Sequence, residues 1–164
     1  MRIFKEEQRF TQQWLIALLV IGLIVPIIIL SKAYAEEKME LIDFIIAMCL
    51  IIIPTGAILF FKLKTRIDEH GIHYRFIPFH FKNQTIHWND IEKIHIRKYD
   101  AITEYGGWGM KGGLFWKKKN GTAYNVSGDI GIQIELKNGK RILIGTQLQE
   151  QVNTTINHYN NQEI

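Results

Sequence analysis

Residues 14–30, WLIALLVIGLIVPIIIL, carry no charge, and neither do residues 44–61, FIIAMCLIIIPTGAILFF. At ~1.5 Å rise per residue each run is ~25 Å long as a helix, and the flanking residues 11–13 and 41–42 extend both toward the ~30 Å hydrocarbon thickness of a bilayer. The pattern predicts two transmembrane helices, about residues 12–32 and 41–61. A cleaved signal peptide is the competitor for the first run. That run exceeds the usual ~7–15 residue signal core, and the sequence SKAYA at residues 31–35 is a weak cleavage site. A second apolar run comes after a connector of only ten residues, which makes the pair a helical hairpin. Pro26 and Pro54 lie within the runs and predict kinks rather than ends.

The distribution of Lys and Arg sets the expected orientation. Arg2, Lys5 and Arg9 precede the first run, Lys62, Lys64 and Arg66 follow the second, and the connector has Lys32 and Lys38. This bias predicts both termini in the cytoplasm and a short external loop. Asp43, at headgroup depth, is expected to anchor the second helix at the interface. Cys49 is the sole cysteine, so no intrachain disulfide is possible.

From residue 62 onward continuous apolarity gives way to alternation. Residues 64–68, 72–77, 91–97, 122–126, 130–136 and 141–144 are short, rich in β-branched and aromatic side chains, and separated by Gly, Asn and Asp. Such segments predict an antiparallel β domain. The hairpin within residues 130–146 is the best defined. A three-residue loop at 137–139, with Gly139 left-handed, would pair Ile134 with Ile142 and Ile132 with Ile144. The chain then changes period. Thr146 is placed to cap a helix with Gln149 reaching back, and Leu148, Val152, Ile156 and Tyr159 form one stripe of an amphipathic helix at about residues 147–160.

The stretch EYGGWGMKGG at residues 104–113 contains a formal G-x-G-x-x-G at Gly107, Gly109 and Gly112, with Asp129 downstream. A dinucleotide loop needs a helix N-terminus immediately after it, where free N–H groups hold the pyrophosphate. Residues 114–126, LFWKKKNGTAYNV, instead have the chemistry of a hairpin around Asn120-Gly121. The expectation is therefore a bent or bulged strand, with Gly106, Gly107 and Gly109 as turn or bulge residues.

A β meander closed by one amphipathic helix, behind a two-helix membrane hairpin, resembles the bacterial pleckstrin-homology-like (PH-like) membrane proteins. The local features that carry the resemblance are His87-Trp-Asn-Asp-Ile91 leading into a strand, Tyr105-Gly-Gly-Trp-Gly109, and GKRILIGTQ at residues 139–147 before the helix. The resemblance implies an α+β membrane protein. Residues 1–61 would form the N-terminal segment and hairpin, and residues 62–164 a cytoplasmic PH-like barrel or sandwich capped by the C-terminal helix. It also implies placement in the bacterial inner membrane. Eukaryotic pleckstrin-homology domains bind phosphoinositides through several basic residues around their first hairpin. Here residues 72–88 offer only Lys82 and His80 at the tip, so that recognition pattern is missing.

Residues 62–164 hold fifteen Lys and Arg against ten Asp and Glu, whereas the first sixty-one residues hold five against six. Lys117, Lys118 and Lys119 beside Phe115 and Trp116 form a basic and aromatic mixture suited to anionic headgroups. With Tyr105 and Trp108 they are the candidate interaction surface; solvated lysines protecting an edge strand are the plainer alternative. The six histidines show no ligand spacing, so no metal and no cofactor is expected. Asn-x-Ser/Thr sequons at Asn83, Asn120, Asn125 and Asn153 would matter only on an exported domain. Ser127 lacks an activating base, and no recognition helix or RNA-binding motif appears, so neither an enzyme nor a nucleic-acid binder is expected. The expected function is a non-enzymatic membrane protein presenting its β domain to membrane lipid, another membrane protein or a second copy, with no small-molecule substrate. The alternative is an accessory subunit of a membrane enzyme or transporter, its hairpin packing through Ala17, Gly22, Ala47 and Gly56.

Overall fold

The computed structural model describes residues 3–112 and 120–160. The chain divides into two compact units, the excursion Phe10–Phe61 and a unit that joins the segment up to Arg9 to the residues from Lys62 onward. The boundary expected at residue 61 is corrected accordingly: the N-terminal segment belongs to the β domain. Phe4–Arg9 forms strand β1, with Phe4 and Gln8 buried and Lys5, Glu7 and Arg9 exposed.

Within the excursion, α1 (Gln13–Ala35) and α2 (Leu41–Ile58) are helices of twenty-three and eighteen residues, ~34 and ~27 Å long. Both are long and apolar enough to cross a membrane, and neither has a buried residue. Pro26 and Pro54 stay inside the helices, as expected. Tyr34 and Phe44 stack at 5.0 Å near the connector, and Phe10 meets Phe61 at 6.2 Å at the other end of the hairpin.

The β unit contains two sheets. The first has the order β1, β2 (Lys62–Asp68), β3 (Gly71–Ile77) and β4 (Gln84–His87), all antiparallel. Register aligns Phe4, Ile67, Ile72 and Ile86 in one buried row across all four strands. The second has the order β5 (Ile91–Lys98), β8 (Ile130–Leu136), β9 (Arg141–Gly145), β7 (Thr122–Asn125) and β6 (Gly109–Lys111). Of the expected barrel or sandwich, no closed barrel forms among the described residues, whose strands divide into two separate sheets. The second sheet departs from a purely antiparallel meander, because β7 runs parallel to β9. That pairing needs Gly121, whose Cβ, were it present, would lie 2.1 Å from the Arg141 carbonyl oxygen.

The β8–β9 hairpin has the expected register, Ile132 opposite Ile144 and Ile134 opposite Ile142, with Gly139 at φ 81°. The terminal helix α4 is Gln149–Asn160, beginning two residues later than expected, and Val152, Ile156 and Tyr159 are buried. Its entry is not closed by Gln149. Thr146 Oγ1 accepts from the Leu148 N–H at 3.1 Å, while Glu6 of β1 accepts from the Thr146 hydroxyl at 2.7 Å and the Gln147 N–H at 2.8 Å. Strand β1 thus supplies a carboxylate to orphan donors before the helix, where negative charge is favoured.

The glycine-rich stretch is corrected as well. Residues Ala101–Tyr105 form a short helix, α3, whose N-terminus is capped by Asp100 accepting from the Ile102 and Thr103 N–H groups. Gly106 ends it in the left-handed conformation at φ 77°, the usual helix stop where a Cβ is unwelcome. The expected bent strand is therefore a helix cap and turn leading into β6. Gly107 and Gly109 have φ of 116° and 118°.

Candidate interaction surface

The expected surface separates into parts with different roles. Tyr105 is only 1% exposed, which corrects its assignment as a surface residue. Its ring packs with Tyr99, Ala101, Ala123 and Leu143, and its hydroxyl lies 3.1 Å from Arg97 Nη2 and donates to the Asn120 carbonyl at 3.3 Å. Trp108 is half-buried against the same cluster and donates its indole N–H to the Gly128 carbonyl at 3.2 Å. Arg97 and Glu104 form a two-point ion pair at 3.1 and 2.7 Å, which holds Glu104 below its ordinary pKa. This segment covers one face of the second sheet and is packed rather than presented. Phe115, Trp116, Lys117, Lys118 and Lys119 lie outside the described residues.

Gly109 is the first residue of β6 and Gly112 follows its last, and Asp129 is engaged by Lys98 at 2.9 Å. Asn125 is fully buried, donating to the Tyr99 hydroxyl at 3.0 Å and accepting from the Gly109 N–H at 2.9 Å, so that sequon is closed to modification in the folded chain.

The surface that sequence reasoning missed is the outer face of the first sheet. Strand alternation puts Lys5 and Arg9 of β1, Lys62, Lys64 and Arg66 of β2, and Arg75 of β3 on the face opposite the buried row. Against these six cations stand Glu7 and Asp68. Glu7 binds Lys64 at 3.0 Å and Arg9 at 2.6 Å, and these contacts pull its pKa down to about 2. A cavity of about 320 Å³ opens here, lined by Lys5, Glu7, Lys64, Arg66, His73 and Asn83 among others. The signal was present as charges at every second position of residues 5–9 and 62–66. Only pairing of β1 with β2 puts the two series on one face.

Asp68 closes this face at its far end. Burial pushes its pKa up, but hydrogen bonds from His73 and the His70 N–H, with the charges of His73 and Arg66, outweigh burial and lower it. His73 Nε2 lies 3.0 Å from the Asp68 carboxylate, and its Nδ1 lies 2.9 Å from Thr85 Oγ1, forming a carboxylate–imidazole–hydroxyl chain across β2, β3 and β4. The chain lies on an open sheet face and ties three strands together. Asp68, Glu69 and His70 gather ligand atoms within 4.8 Å of one another, yet the Asp68 carboxylate already serves Arg66, His73 and a backbone donor. The cluster is a filled charge network.

No protein-family model matches this chain, and no curated protein matches it either. Function is accordingly read from the chain's own geometry.

Proposed function

We propose that this chain is a non-enzymatic membrane protein whose helical hairpin crosses the bilayer, holding a PH-like β unit against an anionic inner-leaflet surface. The observation that carries the reading is the register Arg9 opposite Lys62. These residues are the last before the apolar excursion and the first after it, so both ends of the hairpin are fixed in adjacent strands at one edge of a basic sheet face. Each Lys or Arg near an anionic surface contributes ~1 kcal/mol of attraction. The tether supplies proximity, so modest attraction suffices to orient the domain. Two sheets followed by one amphipathic helix support the PH-like assignment, and the Lys and Arg bias supports a cytoplasmic placement.

A direct test uses the β unit with the excursion removed and Arg9 joined to Lys62 through a short turn. It should co-sediment with phosphatidylglycerol vesicles, release as salt rises, and lose binding when Lys64 and Arg66 are both changed to Glu. Equal binding to phosphatidylcholine vesicles would refute the lipid-surface reading.

A second reading, an accessory subunit, is favoured by one observation. At Gly22 and Gly56 nothing lies within 4 Å of where a Cβ would sit, which leaves both positions open for close approach by another helix. Recovery of one stoichiometric membrane partner in a detergent pull-down would favour it over the lipid-surface module.

A further inference from the structure

We propose that the β3–β4 loop, residues 78–83, is a second membrane contact that seats Phe79 and Phe81 in the interfacial layer of the bilayer crossed by the hairpin. The inference rests on the membrane reading above and adds a specific site to it.

Register locates the loop. Lys62 pairs with Arg9 on one side and with Ile77 on the other. Three neighbouring strand ends therefore lie in one row, ~5 Å apart. Arg9 and Lys62 run directly into the hairpin, Lys62 only four residues beyond the last residue of α2. Ile77 runs into the loop. The β2–β3 turn at Glu69 and His70 lies at the opposite end of β2, a strand of seven residues and so ~20 Å away.

The loop reads Pro-Phe-His-Phe-Lys-Asn, and Phe79 and Phe81 are 54% and 88% exposed. Their exposure is built in, because His80 between them is held inward. The His80 N–H donates to the Phe76 carbonyl at 2.8 Å, and His80 Nδ1 accepts from the Phe76 N–H at 3.2 Å. Its ring packs against Tyr74 and Tyr124 at 5.8 and 5.2 Å, and Arg75 Nε donates to its carbonyl at 3.0 Å. Phe79 stacks on Phe76 at 6.0 Å, which leaves Phe81 at the crest. A clamped loop loses little further entropy on insertion, so apolar burial is not spent on ordering it. Lys82 follows Phe81 and has the reach to keep its ammonium among headgroups while its stem lies along the acyl boundary. A bilayer is favoured over a protein as the occupant because the two adjacent strand ends are the membrane tethers themselves.

The test reconstitutes the full chain into vesicles with an environment-sensitive fluorophore on one cysteine at a time. The three sites are native Cys49 in α2, Cys49→Ala with Phe81→Cys, and Cys49→Ala with Glu69→Cys. The Phe81 side chain is exposed, so its replacement leaves the core intact. With brominated acyl chains in the lipid, the labels at positions 49 and 81 should both lose intensity, and the label at 81 should be blue-shifted relative to that at 69. If position 81 behaves like 69 while 49 is quenched, the loop contact is wrong and the membrane hairpin stands. If 49 is not quenched, both fall. A blue shift at 81 without quenching would mean that protein covers the loop, which also overturns the proposal.

Discussion

Gly121 and Gly107 both have positive φ, but they differ in surroundings. At Gly121 (φ 78°) a Cβ would meet the Arg141 carbonyl carbon and oxygen, whereas at Gly107 (φ 116°) nothing lies within 4 Å. Gly107→Ala should cost roughly 1–3 kcal/mol through backbone strain alone. Gly121→Ala should cost more, because the parallel β7–β9 pairing must also part, and thermal melting of the two variants should show that order. Trp108 packs on the Tyr99–Tyr105 cluster, so Trp108→Ala should act on stability, by roughly 2–3 kcal/mol, short of the ~3–5 kcal/mol of a fully buried aromatic. Unchanged melting would return Trp108 to the role of an exposed contact. Burial lowers the His80 pKa from its ordinary 6.5, in keeping with an Nδ1 that must stay unprotonated to accept from Phe76. Linkage sets the sign: below 6.5 the unfolded chain binds a proton that the folded chain refuses. The stabilisation is complete above 6.5 and is lost as pH falls through the lowered folded value. An NMR titration should place His80 below 6.5, and His80→Gln should flatten the stability profile in that window.

Among the elements, β1 is the one with the largest consequence. It contributes Phe4 to the buried row and Glu6 to the entry of α4, and its Gln8 amide donates to the Gly145 carbonyl at 2.8 Å, linking the two sheets. A fragment beginning at Lys62 loses all three. Loss of the buried Phe alone costs ~3–5 kcal/mol, a large part of the ~5–15 kcal/mol that stabilises a typical domain. The fragment 62–164 should therefore be largely unfolded, whereas residues 1–9 joined to 62–164 through an Asn-Gly turn should fold cooperatively, as circular dichroism melts would show. Equal stability of the two would remove β1 from the fold. Residues 4–9 gave little sign of a strand, since four of the six are charged and their two inward positions, Phe4 and Gln8, are four apart.

For the whole molecule, the β1–β2 pairing requires that a membrane-crossing hairpin leave and return on one side. A reporter fused after Ile164 and an impermeant thiol reagent acting on Glu37→Cys, with Cys49→Ala, should consequently report opposite sides of the membrane. The proposed orientation expects the reporter to be active in the cytoplasm and position 37 to be labelled from outside. Labelling of both from one side would exclude a two-span hairpin, and full reversal would place the basic face outside.

The helices, the β8–β9 hairpin and the terminal helix were legible in sequence because each rests on local periodicity. Continuous apolarity, alternation at every second residue around Gly139, and spacings of four and three each name an element without reference to the rest of the chain. The sequence by itself also located the turn glycines, though not the short helix that Gly106 ends. What only tertiary structure decided is non-local. Strand β1 finds its partner fifty-three positions away, Arg9 against Lys62, and that pairing creates the basic face and redraws the domain boundary, while Lys62 against Ile77 puts the start of the Phe79–Phe81 loop beside the strand ends that enter the apolar excursion. Tyr105 and Trp108 were read as presented because aromatic residues among glycines suit a binding surface equally well in sequence. Their burial depends on Leu143 and Ala123, which reach them only once β7 lies parallel to β9. Local patterns fix which segments are strands or helices; the face each side chain occupies depends on pairing partners that no nearby residue encodes.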